Sequence, residues 1–439
     1  MWAQRAAARF RLFPGIAVLA AVILTTLSPA YAGHGFNVVG FGAESLAMAG
    51  ADIAVARDSA AVNINPAGLA QLERGGWSVY ASPYQTVTMS HRDQYGNNER
   101  NDLDLGTSVA VSVARRLQAF PDVVVGAGLF AQGGTGIGYE DLMTRYGTRD
   151  EFSAIIGISK LVAAVGWQAS EQLSLGANLG VLHAGARQKV FPDTSVIAPD
   201  PQDSFFGVRL DSGTAISPTF QLGLRYEFMP ELAFAMAYTH KGKLPIKGAT
   251  LTVNYEALDL GRVKYQDAEL RGLAVAAALG AGLAWTPRKD LLLSLELEWL
   301  NQSSALHASR LSASRPDAEL PEAFRRIDQV TALNWRDQYI YAVGVAWTAS
   351  DRWILRAGLD YLRNPIPPND MNPTFNVFQG VELTAGFTRK FSKDWAFDFA
   401  AQYQLPRDAH YSNPKLPFGS AARERFEVAI VTFSLSRSW

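Results

Sequence analysis

Cysteine is absent from the 439 residues. A chain that carries a secretory leader but no disulfide must draw its stability from a large core or from closure of a sheet. An excess of basic residues is also lacking. Without the leader and its three arginines, 407 residues hold 37 Lys and Arg against 41 Asp and Glu, a net charge near −4. No surface for nucleic acid follows from that balance. Histidine is scarce: His34, His91, His183, His240, His307 and His410 are the six. None lies in a nucleophile motif, and no H-E-x-x-H or cysteine cluster offers a metal site. An outer-membrane enzyme such as a phospholipase is therefore not expected, and neither is a cofactor.

Long apolar runs are missing outside the first 32 residues. There Arg5, Arg9 and Arg11 precede an apolar run from Gly15 to Leu27, and Ala30-Tyr31-Ala32 forms an A-x-A cleavage site. These are the parts of a signal peptide, and the run is too short to span a bilayer as a mature helix.

What the chain has instead is alternation. In "LLLSLELEWL" (291–300), Leu293, Leu295, Leu297 and Trp299 share one face, and Ser294, Glu296 and Glu298 the other. "WAFDFAAQYQL" (395–405) repeats the pattern. Strands of about ten residues with aromatics at their ends suit a lipid-facing band flanked by girdles. Six short connections fall near residues 121, 170, 230, 288, 350 and 393. They alternate with seven long polar ones near 90–105, 139–152, 189–207, 244–269, 307–334, 364–377 and 405–425. The expectation is an all-β, 14-stranded antiparallel transmembrane β-barrel (76–439) in the outer membrane of a Gram-negative bacterium. A monomer is expected, surrounded by outer-membrane lipid and lipopolysaccharide.

The inward faces are unlike a water-filled pore. In "RGLAVAAALGAGLAW" (271–285) the inward set is small and uncharged. In the last strand it turns from Ser438, Ser436, Ser434 and Thr432 to Ile430, Val428 and Phe426. An apolar wall with few polar groups makes a pocket for an apolar solute; a general diffusion porin for small polar solutes is the alternative. Ahead of the first strand, residues 33–75 are rich in Gly and Ala, and Asn65-Pro66 suits a tight turn. This segment is expected to fold inside the barrel as a hatch.

"GFGAESLAMAGADIAVARDSAAVNINPAGLA" (40–70), with Asn65, Pro66 and Ala67, resembles the hatch of the FadL/TodX family. That family consists of outer-membrane transporters for long-chain fatty acids and other hydrophobic compounds. "NWRDQYIYAVGVAW" (334–347) and "DRWILRAGLDYLRNPIP" (351–367) extend the resemblance. It implies passive uptake: capture at the outer loops, a pocket in the barrel, hatch rearrangement, and lateral exit at an inward kink of the third strand. Here that strand is residues 123–140, and Gly133, Gly134 and Gly136 stand where the kink is wanted. By the same resemblance Arg336 would hold a ligand carboxylate above an apolar wall of Ile340 and Ala342, unless it only pairs with Asp337 at the rim. Trp439 stands where the family usually ends in Phe, and an aromatic there suits the barrel-assembly machinery.

Overall fold

The computed structural model describes residues 36–103, 105–200, 203–373, 380–413 and 421–439. The expected leader at 1–32 and the first residues of the 33–75 segment lie outside these. So do parts of the last two long connections.

Strands follow the alternation closely. In chain order they are β1 (Gly76–Arg92), β2 (Asn98–Arg100), β3 (Leu105–Arg116), β4 (Val123–Met143), β5 (Arg149–Gln168), β6 (Leu173–Val196) and β7 (Phe205–Met229). Next come β8 (Leu232–Thr239), β9 (Gly242–Lys243), β10 (Ile246–Asn254), β11 (Arg262–Arg271), β12 (Ala274–Val275), β13 (Ala278–Arg288) and β14 (Leu291–Leu300). The rest are β15 (Ala308–Ala313), β16 (Ile327–Ala332), β17 (Gln338–Ser350), β18 (Trp353–Leu362), β19 (Gly380–Lys390), β20 (Trp395–Tyr411) and β21 (Ala422–Ser438).

Antiparallel pairing runs from β1 through β3, β4, β5, β6, β7 and β8 to β13 and β14. It continues through β17, β18, β19, β20 and β21, which pairs back to β1. Closure satisfies the backbone polar groups that lipid cannot.

The expectation of fourteen strands needs correction: among the described residues nineteen strands are hydrogen-bonded into one sheet, and β9 with β12 forms a second, small one. The surplus comes from connections that read as polar loops. β10 pairs with the outer part of β7 and with β11, which pairs with β15, and β15 with β16. These short strands bury a core of their own beyond the bilayer, around Leu210, Leu251, Val253, Val263 and Tyr265. Period two over only a few residues could not separate them from loop, because their partner strands lie far away in sequence.

Side-chain parity sorts lipid from lumen. Leu161, Leu179, Leu222, Leu295 and Tyr341 are half or more exposed on the outer face. Trp167, Trp285, Trp347 and Phe391 ring the short-turn end, and Tyr339, Tyr361 and Tyr403 ring the other.

Residues 36–75 do not form a separate globule. Their buried side chains share clusters with the wall: Phe36, Val39 and Leu46 with Ile158 and Ile430, and Val62 and Leu69 with Ala110 and Phe130. The segment contains two single-turn helices, α1 (Ala43–Leu46) and α2 (Ala61–Ile64), and a 3-10 helix at Pro66–Gln71.

Candidate ligand path

The middle of the N-terminal segment is shaped by Asn65 and Pro66. Asn65 is extended, at φ −150°, and so ends α2. Its side-chain oxygen accepts from the Ala67 N–H at 3.1 Å, and its amide donates to the Ile53 carbonyl at 2.9 Å. Pro66 then opens the 3-10 helix, where no N–H is needed. The turn sits on a row of glycines in register across three strands: Gly166 of β5, Gly176 of β6 and Gly223 of β7. A Cβ on Gly176 would lie 2.2 Å from the Pro66 carbonyl carbon, and one on Gly223 2.0 Å from the Asn65 Oδ1. Asn178 and Gln221 donate to the carbonyls of Val62 and Ile64, both at 2.8 Å.

Charge ties the segment down near the short turns. Glu44 takes Arg356 at 2.7 Å and Arg57 at 3.4 Å, and Arg356 also donates to Thr388 at 2.6 Å. One carboxylate oxygen of Glu296 accepts the N–H groups of Asp52 and Ile53 at 2.8 and 2.9 Å. Beneath these contacts a cavity of about 880 Å³ is lined by Arg57, Lys289, Arg352, Arg356 and Asp394 among others. With these charges it is not an apolar binding pocket.

Toward the other end the wall is interrupted. β3 and β4 pair only from Arg116↔Val124 up to Ala110↔Phe130, while β4 runs on to Met143. Among the described residues β4 has no β3 partner beyond Phe130, and its register against β5 shifts between Ala131 and Gly133. The tip of the N-terminal segment fills the break. Asn37 bridges Gly133, and the Val38 N–H donates to the Gln132 carbonyl at 3.2 Å. A Cβ on Gly133 would come within 1.7 Å of the Phe36 carbonyl oxygen, so only glycine admits the tip.

Lys160 lies on β5 opposite Phe130, the last rung of that pairing. It is 3 % exposed and faces inward between Ile158 and Val162. Its stem crosses Gly180, where an added Cβ would stand 2.9 Å from the Lys160 Cε. Among the described residues its ammonium has neither a hydrogen bond nor an ion pair. Outward of this level the interior is apolar, with Ile156, Leu182, Phe426, Val428 and Ile430 in one cluster.

The outer mouth closes on His91, which is fully buried at the top of β1. Its Nδ1 meets Glu424 at 2.5 Å and its Nε2 meets Asp93 at 3.0 Å. Tyr139 and Tyr411 donate to the same Glu424 at 3.2 and 3.1 Å. Arg423 and Arg425 on the outer face of β21 place this level beyond the lipid. Burial pulls the His91 pKa down, but the hydrogen bonds and charges of Asp93 and Glu424 outweigh it and raise the pKa to about 9.

Residues 22–436 match the family described as outer membrane protein transport protein (OMPP1/FadL/TodX). The chain belongs to that family. It is an outer-membrane protein, with its short turns on the periplasmic side. The fold resembles the Pseudomonas putida toluene transporter TodX at 18 % identity and a TM-score of 0.74, over 92 % of this chain and 100 % of that one. A Pseudomonas aeruginosa FadL homologue is 14 % identical, with a TM-score of 0.74 over 92 % and 99 %. The Ralstonia pickettii toluene transporter TbuX is 18 % identical, with 0.69 over 91 % and 99 %. No curated protein matches the chain.

In this OMPP1/FadL/TodX member Ile340, Phe426, Val428 and Ile430 come together in one buried cluster, and Ala342 is buried outside it. Gly133, Gly134 and Gly136 lie on β4 at the interruption, where Gly134 also approaches β5 closely enough that a Cβ would meet the Ile156 carbonyl oxygen at 2.1 Å. Arg336 is not with them. It precedes β17, is exposed, and has no side-chain partner among the described residues. β17 begins only at Gln338, so its alternation does not extend to Arg336. Asp337 binds the Trp299 indole N–H at 3.0 Å and Ser303 instead, so the rim pair is not formed either. Lys160 and Trp335 were missed; Trp335 is buried and packs on Phe36 with centroids 6.2 Å apart.

Proposed function

We propose that this channel takes up long-chain fatty acids or similar apolar acids, and that Lys160 holds the carboxylate. The observation that carries the reading is a cation without a partner, on a side chain only 3 % exposed, set against an apolar interior. Such a charge is costly unless something neutralises it. An incoming carboxylate does so, while its acyl chain lies along Ile156, Leu182 and the β21 wall. The toluene-transporter neighbours support an apolar solute in general, and the acid is inferred from Lys160. We further infer that residues 36–75 act as the hatch and that the β3–β4 interruption, closed by residues 36–38, is the lateral exit. A general porin is disfavoured because buried side chains of the segment and the wall fill the interior.

Substitution Lys160→Met keeps the stem and removes the charge. A charge-assisted hydrogen bond contributes roughly 1.5–3 kcal/mol, about one to two decades in affinity. Tryptophan-fluorescence titration of the solubilised protein should show that loss for oleate and almost none for an alkane. Arg336→Ala serves as the control, with less than about twofold change expected for an exposed side chain. Undiminished oleate affinity in Lys160→Met would overturn the assignment.

A further inference from the structure

Lys160 is one end of a register row. It pairs with Phe130, Phe130 with Ala110, and Ala110 with Tyr80 of β1. All four side chains are buried on the inward face. Phe130 and Ala110 form the last rung before the β3–β4 interruption, so the opening has Lys160 on one side of its sill and Tyr80 on the other. At about 4.8 Å between neighbouring strands, three steps separate them by roughly 14 Å.

Tyr80 is 5 % exposed, and its hydroxyl has no hydrogen-bond partner among the described residues. A buried hydroxyl is nearly always paired, and leaving one unpaired is costly. Tyr80 lines a cavity of about 20 Å³ together with Val38, Val39, Ser82, Ser108 and Thr432. That volume takes one water-sized group. Ser82 and Thr432 are bonded to each other at 2.6 Å, which leaves the Tyr80 O–H as the donor to be satisfied. Ser108 stands on β3 just past the last β3–β4 rung, so the cavity borders the opening itself.

We infer that the Tyr80 hydroxyl is a second head-group station: it donates a hydrogen bond to an oxygen of the ligand as that end passes the opening. The station selects hydrophobic molecules carrying a carbonyl or carboxyl oxygen over plain hydrocarbons. It needs no charge on the ligand, and in this it differs from Lys160. The inference rests on the uptake reading above and extends it to uncharged esters. Residues Val38 and Val39 cover the cavity, so entry of a ligand there and withdrawal of the tip from Gly133 occur together.

Tyr80→Phe removes only the unpartnered hydroxyl, and the barrel should assemble unchanged. The test is saturable uptake of radiolabelled methyl palmitate and of hexadecane by cells whose only hydrophobic channel is this protein. One neutral hydrogen bond corresponds to roughly a two- to tenfold change. The half-saturation concentration for the ester should rise by that factor in Tyr80→Phe, with hexadecane unaltered. An equal shift for both solutes would mean that Tyr80 only shapes the opening, and no shift would mean that a fixed water satisfies it; either overturns the station. Lys160→Met, assayed beside it, should leave the ester unaffected. Oleate is run as a third solute: its failure to enter through the unaltered protein would instead overturn the uptake reading, and entry of oleate without the ester would overturn the station alone.

Discussion

Residues 61–71 lie on the glycine row of β5, β6 and β7, bonded by Asn65, Asn178 and Gln221. Residues 36–38, only some 25 positions earlier, reach the wall through a bridge at Gly133 and a bond to Gln132. One part of the segment is spread over three strands, and the other is held at a break in pairing by two backbone contacts and the buried Phe36 ring. Two backbone contacts, each contributing about 0.5–1.5 kcal/mol net, and one buried ring separate more easily than a seat fitted over three strands. On the proposed uptake path the seat stays and the tip moves.

Breaking the seat should have the largest effect. Gly176→Leu drives a side chain into Pro66, already 2.2 Å from where a Cβ would stand. Overpacking of this kind costs about 1–3 kcal/mol or more, and expulsion of residues 61–71 is the cheapest relief. The barrel should still assemble, because closure depends on strand pairing. Liposome swelling in arabinose should then become fast, whereas the unaltered protein excludes the sugar. A tight Gly176→Leu channel would show that the seat tolerates a side chain.

A smaller effect sharpens the comparison at the outer mouth, where His91 joins β1 to β21 through Glu424. The folded pKa of about 9 lies above the ordinary value of 6.5. The stabilisation is therefore fully present below about pH 6.5 and is lost as pH rises through 9. The shift corresponds to a few kcal/mol at most, on the order of 3. Hydrogen exchange of residues 89–97 should accelerate between pH 7 and pH 10, after correction for intrinsic rates, while exchange in residues 61–71 stays slow. Equal acceleration in both segments would refute a local origin.

Much of this arrangement is readable in the residues themselves. Lipid outside and protein inside impose period two, so the parity of Tyr339 and Tyr341 against Ile340 and Ala342 needs no partner strand to be seen. Asn65-Pro66 announces its turn through local chemistry alone. Strands β10, β11, β15 and β16 are illegible for the opposite reason, since their order depends on distant pairing. Arg336 misleads because it stands two residues ahead of the start of β17, where the alternation of the strand no longer holds. Lys160 was visible as a lone cation in inward parity with Ile158 and Val162 of "IGISKLVAAV" (156–165). Its lack of a partner was not visible, for that depends on β4 and β6. The unpaired Tyr80 hydroxyl likewise needs four strands to be placed before it means anything.

The absence of native cysteine makes the movable tip directly testable. Val38 and Gln132 stand opposite each other beside the Asn37–Gly133 bridge, so Val38→Cys with Gln132→Cys offers a disulfide pinning the tip to β4. The measurement is oleate uptake by the oxidised double variant before and after dithiothreitol. The account predicts loss of most uptake in the oxidised protein and its recovery on reduction. Full uptake with the disulfide intact would contradict it.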